Sequence, residues 1–521
     1  MLIDFRAGQL PEQLDADLCI VGAGAAGIAM AREFAGQRQS VIVLESGGLD
    51  FDGQVQDLYA GLNTREDFSL STSRFRMFGG TTSVWGGWCA PLDELDFERR
   101  DWVADSGWPI ARSDLLDCYA RAQQVCQLGR FRYAVREWPS LAAGALALDS
   151  AKLKHRLWQL SPPARFGALY RDELDRAPNV RIVLNASATE IVTGENGAAA
   201  RCVQIASLDG RRAQVRAKAY VLACGGIEIP RLLLVSRRFA PAGLGNDRDL
   251  VGRYFMEHPH PDAGGVLLSG DPASFRAYAD TRVGNERVVL GFGPSAAAQR
   301  RLRILNSSIA VNGPLHHEPS EAWDSLMKLL RSAGSRQWPK DAGTLVGDVL
   351  RDLEDVLREG YLRATDAPVR GFSFTARTET APLASNRITL EEERDALGMH
   401  RVRLDWRAGS LERVTVERTM QLLAEEIGRL DIGRVRINEL LMEDDARWSE
   451  NLSWFGHHLG TTRMSSGPAS GVVDADCRIH GVRNVYVASG SVFPTSGFAN
   501  PTLTIVALAL RLADHLKARI L

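Results

Sequence analysis

The 521-residue sequence has no long hydrophobic run, no run of basic residues and no large excess of either charge. Because it lacks about 18 consecutive apolar residues, no membrane-spanning helix is expected. The 62 basic and 64 acidic residues leave a formal net charge of −2. This balance, without a Lys/Arg cluster, gives no reason to expect nucleic acid or an anionic membrane as a partner.

Cysteine is scarce and scattered. An odd, dispersed set without CxxC or zinc-type spacing is typical of reduced thiols. The first residues, MLIDFRAGQL, contain no basic segment followed by an apolar stretch and no twin-arginine pair. We therefore expect a cytoplasmic protein. The seven cysteines are Cys19, Cys89, Cys118, Cys126, Cys202, Cys224 and Cys477.

A glycine-rich turn near the start of the sequence joins an apolar strand to a small-residue helix. Residues 16–46 predict a βαβ unit in which Gly22, Gly24 and Gly27 form GxGxxG. The first glycine permits the tight turn, the second lets a pyrophosphate approach the backbone, and the third permits close helix packing. Glu45 ends the second strand, where a carboxylate can accept hydrogen bonds from both ribose hydroxyls. The unit predicts dinucleotide binding and leaves NAD and FAD both open.

Four distant segments carry a family resemblance. They are FGGTTSVWGG (78–87), ACGGIEIPRLLL (223–234), FMEHP (255–259) and the block from HHLGTTRMSSG to GFANPTLTI (457–505). Together they resemble the glucose–methanol–choline (GMC) oxidoreductases. The WGG and ANPT elements are most similar to the sugar and polyol branch that contains pyranose oxidase. The resemblance spans residues 16–109, 180–260 and 375–515, and is weak over 261–370, which in this family shapes the substrate pocket.

The resemblance implies an α/β fold with two domains, as the length also suggests. A Rossmann-like FAD-binding domain with a parallel sheet is expected from residues 1–260 and 446–521. An α+β substrate domain with a mainly antiparallel sheet is expected from residues 261–445, where apolar and polar positions alternate.

The resemblance also implies which residues contact FAD. One group lies in the loop after the glycine pair, where backbone groups line the N5 side of the flavin. Thr189 lies on a strand that passes the adenine, and the rest belong to the C-terminal block. Taken singly, each glycine is better explained as ordinary turn chemistry, but that explanation does not account for all of them together. The implied residues are Gly79, Gly80, Thr81, Thr82, Gly86, Thr189, Ser489, Gly490, Pro501 and Thr502.

Family members carry a histidine in H-x-x-G-T and, some 40 residues later, a histidine or an asparagine. Here His457 and Asn500 match. A neutral imidazole suits removal of a hydroxyl proton, and an amide can hold the same oxygen. His458 is the alternative base, although His457 alone fits the spacing. Asn500 also suits an N-cap for the helix that follows, and both roles can hold at once.

The other conspicuous residues favour packing roles. Trp85 and Trp88 suit flavin contact or packing equally well. No metal site is expected, because the remaining histidines show no ligand spacing; they include His258, His260, His316, His317 and His480.

The flavin is expected to be bound noncovalently. Relatives that attach it use a histidine after the glycine pair, and Val84 occupies the corresponding offset. Cys89 is the alternative attachment residue, and a buried small hydrophobe is its simpler interpretation.

These features predict FAD-dependent oxidation of a hydroxyl group on a sugar, polyol or other alcohol to a carbonyl. Oxygen or a quinone or redox protein would accept the electrons. A lyase that uses flavin structurally is the alternative, and an NAD(P)-linked dehydrogenase is disfavoured by the C-terminal block. The sequence does not indicate an oligomeric state.

Overall fold

The computed structural model describes residues 1–8, 10–65, 68–162, 164–315, 321–335, 342–364, 369–442, 448–449 and 452–519. Two large sheets and a small one dominate it. The strands are β1 (Leu2–Asp4), β2 (Gln13–Val21), β3 (Val41–Leu44), β4 (Gly61–Asn63), β5 (Trp88–Cys89), β6 (Leu153–Leu160), β7 (Val180–Leu184), β8 (Ser187–Thr193), β9 (Ala200–Ala206), β10 (Arg212–Leu222), β11 (His260–Leu268), β12 (Thr281–Val283), β13 (Glu286–Pro294), β14 (Ser307–Leu315), β15 (Gly371–Thr378), β16 (Arg387–Arg394), β17 (His400–Asp405), β18 (Gly433–Ile437), β19 (Leu452–Ser453) and β20 (Val485–Val487).

Helices connect and cover these sheets. They are α1 (Ala25–Phe34), α2 (Gly53–Asp57), α3 (Glu94–Phe97), α4 (Leu116–Val125), α5 (Pro139–Gly144), α6 (Phe166–Arg176), α7 (Gly225–Val235), α8 (Ala296–Leu302), α9 (Glu321–Ser335), α10 (Ala342–Arg351), α11 (Leu353–Ala364), α12 (Ser410–Arg429), α13 (Glu439–Met442) and α14 (Thr502–Arg519). None of the helices in the described ranges is both long and apolar enough to cross a membrane.

The first sheet has the order β1-β7-β3-β2-β10-β9-β8, and β20 also pairs with β10. Pairings from β1 to β10, and of β20 with β10, are parallel, whereas β9 and β8 run antiparallel. Parallel strands covered on both faces need near-continuous apolar sequence. Strand β2 provides it, since Leu18, Cys19 and Ile20 are fully buried. The parallel sheet predicted for the dinucleotide fold is confirmed.

The C-terminal helix completes one side of this sheet. Helix α14 packs against α1 and α4. The Lys517 ammonium is 2.9 Å from the Glu33 carboxylate of α1, and the Thr504 hydroxyl hydrogen-bonds the Tyr119 hydroxyl of α4 at 2.9 Å. The last described segment therefore belongs structurally to the first sheet.

The second sheet has the order β18-β11-β15-β14-β13-β6-β5, and its pairings are antiparallel. Its core side packs on α12. This confirms the predicted α+β element with a mainly antiparallel sheet. Strand β6 lies between residues 1 and 260, yet its Leu157 is in register with Leu290 of β13. The exact division between the two domains stays a prediction.

Candidate active site

The turn between β2 and α1 explains each glycine of GxGxxG. Gly22 has φ of 105°, and a Cβ there would lie 2.7 Å from the Ala223 carbonyl oxygen. A Cβ on Gly27 would lie 1.9 Å from the Gly22 carbonyl oxygen. A Cβ on Gly24 would have no neighbouring atom within 4 Å. The first and third glycines are thus required for packing, and Gly24 faces the open space that a pyrophosphate needs at the start of α1.

Glu45 lies directly beyond β3 and is buried. Its carboxylate oxygens accept hydrogen bonds from the N–H groups of Ala23 and Gly47, both at 2.9 Å. Burial raises the pKa of this carboxyl, although the backbone hydrogen bonds oppose that shift. The carboxylate therefore also holds the glycine turn in place.

A cavity opens beside Glu45, between the ends of β2, β3 and β8 and helix α7. Thr189, on β8, donates a hydrogen bond to the Gln204 carbonyl at 3.3 Å and is not among the lining residues. The lining residues include Gly22, Ser46, Arg76, Ala186, Ser187, Ala188 and Cys224. The cavity therefore adjoins the glycine turn.

The loop after β4 packs directly on the glycine turn. Gly79 donates its N–H to the Ala23 carbonyl at 2.9 Å, and a Cβ on Gly80 would lie 3.1 Å from the Gly24 Cα. Thr82 is buried and donates to the Gly79 carbonyl at 2.6 Å, whereas Thr81 is exposed. Contact between two segments about 55 residues apart thus brings these residues together beside the glycine turn.

The remaining residues of this loop are at its surface. Gly86 is exposed, and Val84 is 51% exposed. The Trp85 indole N–H donates to the Ala164 carbonyl at 2.9 Å, and Trp88 packs edge-on against Trp158 with centroids 5.5 Å apart. Both tryptophans therefore make packing contacts.

Ser489 and Gly490 bring the C-terminal loop next to the H-x-x-G-T segment. The Gly490 carbonyl accepts from the Gly460 N–H at 3.2 Å. The Ser489 hydroxyl accepts from the Ser491 N–H at 3.2 Å and caps a 3-10 turn. Pro501 follows in the sequence and accepts from the Ile505 N–H at 2.9 Å, so it begins the first turn of α14, at Thr502.

His457 lies in a cluster of histidines. Its Nδ1 is 2.8 Å from Nδ1 of His258, whose Nε2 is 2.8 Å from the Gly497 carbonyl. A carbonyl only accepts, so His258 carries its proton on Nε2. Burial lowers the pKa of His258 to about 4, which keeps the ring neutral and its Nδ1 an acceptor.

This arrangement determines the tautomer of His457. Its Nδ1 must donate to His258, so its Nε2 carries a free lone pair. The pKa of His457 lies well below its ordinary value, first because of burial and then because of His258 and Arg377. At neutral pH His457 is an uncharged imidazole whose Nε2 can accept a proton.

Asn500 is held by Arg377 of β15. Arg377 Nη1 donates to Asn500 Oδ1 at 2.6 Å, and its Nε donates to His260 Nε2 at 3.1 Å. Because an arginine only donates, the Asn500 oxygen faces Arg377 and the amide N–H groups remain available as donors. Within the described ranges no backbone N–H of α14 donates to that oxygen, so it does not cap the helix.

His458, the alternative base, lies in a different environment. Its ring packs against Phe68 and Phe255, with centroids 5.7 and 6.0 Å apart. Burial lowers the pKa of His458 to about 3, and its Nε2 is buried without a hydrogen-bond partner in the described structure. The side chain belongs to an aromatic cluster and not to the His258 and His260 group.

Comparison with known proteins decides the family. GMC oxidoreductase models match residues 168–260 and 382–509, the segments that flank and contain the histidine cluster. This chain belongs to the GMC oxidoreductase family. Similar members include 6'''-hydroxyparomomycin C oxidase of Streptomyces lividus, 26% identical over 96% of this chain and 92% of that protein. The fructose dehydrogenase large subunit of Gluconobacter japonicus is 28% identical over 59% of this chain and 48% of that protein.

Solved structures share the fold of this GMC oxidoreductase. Formate oxidase superposes with a TM-score of 0.56 at 16% identity, covering 98% of this chain and 99% of that one. Pyridoxine 4-oxidase from Mesorbium loti superposes with a TM-score of 0.55 at 16% identity, covering 97% and 99%. The Gly24 opening and the adjoining cavity fit the FAD expected for this family.

Three residues of the cluster were not predicted as functional from the sequence of this GMC oxidoreductase: His258, His260 and Arg377. The signal for Arg377 is its place on a strand with an alternating pattern, GFSFTART, in which Phe374 and Ala376 are buried in the core. His480 lies 3.3 Å from the Ser465 hydroxyl, outside the cluster. His316 and His317 lie outside the described residues. No group of three or more potential metal ligands occurs in the part of the chain described.

Proposed function

We propose that this GMC oxidoreductase oxidises a hydroxyl group to a carbonyl, using His457 as the general base and Asn500 as the donor to the substrate oxygen. The single observation that carries the assignment is the His258–His457 hydrogen bond, which leaves His457 Nε2 unprotonated. A hydroxyl group both donates and accepts. It can donate to the His457 lone pair while its oxygen accepts from the Asn500 amide.

In the reaction, the hydroxyl proton moves to His457 Nε2 as the carbonyl forms. Negative charge that develops on the oxygen is stabilised by the Asn500 N–H, which Arg377 holds in position. Bound FAD would supply the acceptor for the hydride that leaves the carbon, and oxygen or a quinone or redox protein would take the two electrons. His457 returns its proton to solvent or to that acceptor.

Residues of the nucleotide side hold FAD in this proposal. Gly22, Gly24, Gly27 and Glu45 would hold its pyrophosphate and ribose. The loop from Gly79 to Gly86, with Thr81 and Thr82, would line the flavin. Ser489, Gly490, Pro501 and Thr502 would approach the flavin from the C-terminal side, where the start of α14 presents free N–H groups. Thr189 has the weakest support, because its neighbours on β8 line the cavity instead.

The flavin is noncovalent in this proposal. Val84, at the position where relatives carry the attaching histidine, has no nucleophilic atom. Cys89 is fully buried, and burial together with Cys126 raises the pKa of its thiol well above the usual value. A protonated, buried thiol is a poor nucleophile.

The names of several relatives support a small hydroxylated substrate and not a macromolecule. Besides the two proteins described above, 2-methyl-1,2-propanediol dehydrogenase of Mycolicibacterium austroafricanum is 25% identical over 63% of this chain and 53% of that protein. We propose a sugar, polyol or similar alcohol as substrate, and a cytoplasmic location.

Anaerobic stopped-flow mixing with sugars, polyols and simple alcohols tests this function. The purified yellow protein is expected to lose its absorbance near 450 nm with an active member of the panel. Turnover without bleaching would favour a lyase. Colourless protein that needs added NAD would overturn the proposal.

A further inference from the structure

Arg377 lies at the junction of the two predicted domains, facing the catalytic residues. On β15, Phe374 and Ala376 are fully buried in the core of the second sheet, so Arg377 projects from the opposite face. Its Nε and Nη1 donate to neutral acceptors, His260 Nε2 and Asn500 Oδ1. Two of its three nitrogen groups thus position neutral side chains of the cluster.

The third group, Nη2, has no hydrogen-bond or ion-pair partner among the described residues, and the guanidinium carbon lies 6.0 and 5.8 Å from the ring centroids of Trp88 and Trp158. The Arg377 side chain is partly buried, and Nη2 retains some solvent-accessible surface. A guanidinium nitrogen on the side chain that holds Asn500 can bind an acceptor that enters with the substrate.

The nearby carboxylates do not neutralise this guanidinium. Glu379 is paired with Arg100, with N–O distances of 2.8 and 2.5 Å. Asp93 is paired with Lys154 at 2.6 Å and with Arg156. In the described ranges no carboxylate lies within ion-pair distance of Arg377. Arg377 therefore has no direct ion-pair partner within these ranges.

Glu257 is the remaining acid in this region, and it acts on Arg377 through space without a direct ion pair. Its Oε1 accepts from the His258 N–H at 3.1 Å, and its Oε2 is buried without a partner in the described structure. Burial raises the pKa of Glu257 to about 8, although backbone hydrogen bonds and the Arg377 charge oppose that shift. Burial lowers the pKa of Arg377 to about 10, and the guanidinium stays charged.

We infer that the substrate is a hydroxy acid, whose carboxylate binds Arg377 Nη2 while its hydroxyl lies between His457 and Asn500. This inference rests on the proposed function. A buried charge is costly unless it is paired, and guanidinium–carboxylate pairing is among the strongest polar interactions available in a protein site. Because the Asn500 amide touches Arg377 directly, the carboxylate and the reacting hydroxyl are only a few bonds apart. Simple hydroxy acids and uronic-acid sugars have this arrangement.

Matched pairs of acids and neutral alcohols test the inference with the FAD-loaded enzyme. The pairs are glycerate and glycerol, 3-hydroxybutyrate and 1,3-butanediol, and glucuronate and glucose. The second-order rate constant for flavin reduction is measured anaerobically for each. The acid of at least one pair is expected to react about 10–100-fold faster than its neutral partner, the range of a charge-assisted hydrogen bond. Equal or faster reaction of the neutral partner in every pair would overturn the inference and leave the oxidase proposal standing. Reduction by no compound of either kind would count against both.

Variants separate recognition from positioning. Arg377→Gln should lower the acid-to-neutral ratio at least tenfold, and Arg377→Lys should keep part of the preference. Arg303→Gln, at an exposed position, is the control. If Arg377 only held Asn500, the Gln variant would slow both members of a pair in equal proportion.

A binding measurement gives a second readout that does not depend on turnover. Titration of the FAD-loaded enzyme with malonate should perturb the flavin spectrum. Malonate should bind the unaltered enzyme more tightly than the Arg377→Gln variant. Equal malonate affinity for the two proteins would contradict the inference.

Discussion

His258 donates from Nε2 to the Gly497 carbonyl and accepts from His457 at Nδ1, so one buried ring sets the protonation state of the other. The two rings lie nearly perpendicular, with centroids 5.0 Å apart and an interplanar angle of 81°. This geometry favours the in-plane approach of one nitrogen to the other. His258 is accordingly a positioning residue, and its effect on catalysis passes through His457.

Replacing His258 tests this relationship. His258→Leu removes the acceptor, and the rate of flavin reduction should fall about 10–100-fold, as expected for one lost hydrogen bond to the reacting group. His258→Asn offers an oxygen to the His457 N–H and should recover most of the rate. The loss in the Leu variant should persist at high pH, because it arises from the wrong tautomer and not from protonation. If the His258→Leu variant reduces its flavin as fast as the unaltered enzyme, His258 does not set the tautomer of His457.

The low pKa of His457 predicts the pH profile. The base works only when neutral, and its pKa is lowered well below 6.5 by burial, His258, Arg377 and His458. The rate of flavin reduction should therefore stay constant from about pH 8 to 6.5 and fall only at lower pH. An acidic limb with its midpoint at or above pH 6.5 would show that the environment of His457 is misassigned. FAD retention across the range is the control.

The adjacent histidines should respond differently to substitution. His457→Ala should slow flavin reduction by roughly 10²–10⁴-fold, the usual contribution of a general base, with little change in FAD content. His458→Ala should mainly lower thermal stability, because it leaves a cavity beside Phe68 and Phe255. The measurements are stopped-flow reduction and thermal unfolding. If the His458→Ala variant is inactive but normally stable, the general base is His458 and not His457.

Two glycines of the same turn should fail in different ways. Gly24→Val should abolish FAD loading while the protein still folds, since its side chain enters space that no protein atom occupies. Gly27→Ala should lower the free energy of unfolding by about 1–3 kcal/mol, because its Cβ collides with the Gly22 carbonyl. Gly428→Val, on α12 with no atom near its Cβ, is the matched control and should retain FAD. Full FAD occupancy in the Gly24 variant would exclude this turn as the pyrophosphate site.

Acid precipitation shows whether the flavin is covalently attached, because a noncovalent flavin separates from the precipitated protein. Acid treatment should leave a white pellet and a yellow supernatant, because neither Val84 nor the buried Cys89 thiol can form the linkage. Intact mass spectrometry should give the polypeptide mass alone. A yellow pellet together with a mass increase of one FAD would refute noncovalent binding.

The elements that were predictable from sequence are those governed by local chemistry. The glycine turn follows from the positive φ of Gly22 and the close contact at Gly27. Strand β6 was not predicted, because its pairing partner β13 lies about 130 residues further along the sequence.

In the candidate active site, too, contacts between distant parts of the sequence could not be predicted. His457 and Asn500 belong to a recognisable motif. His258 and Arg377 gain their roles from contacts across 199 and 123 residues of sequence, which no local pattern encodes. A buried histidine or a strand arginine is common by itself. Only the folded arrangement shows that these two orient the predicted pair.

The pairing of β20 with β10 has a consequence for biosynthesis. Tyr220, Val221 and Leu222 are in register with residues 485–487, and α14 then covers the same sheet. A ribosome-bound chain that has emerged only as far as residue 440 contains the glycine turn but lacks β20, His457 and Asn500. Until the rest emerges, part of β10 is an open apolar edge, the kind of surface that chaperones shield and that otherwise aggregates. Assembly of the complete active site therefore has to wait until residue 500 has left the ribosome.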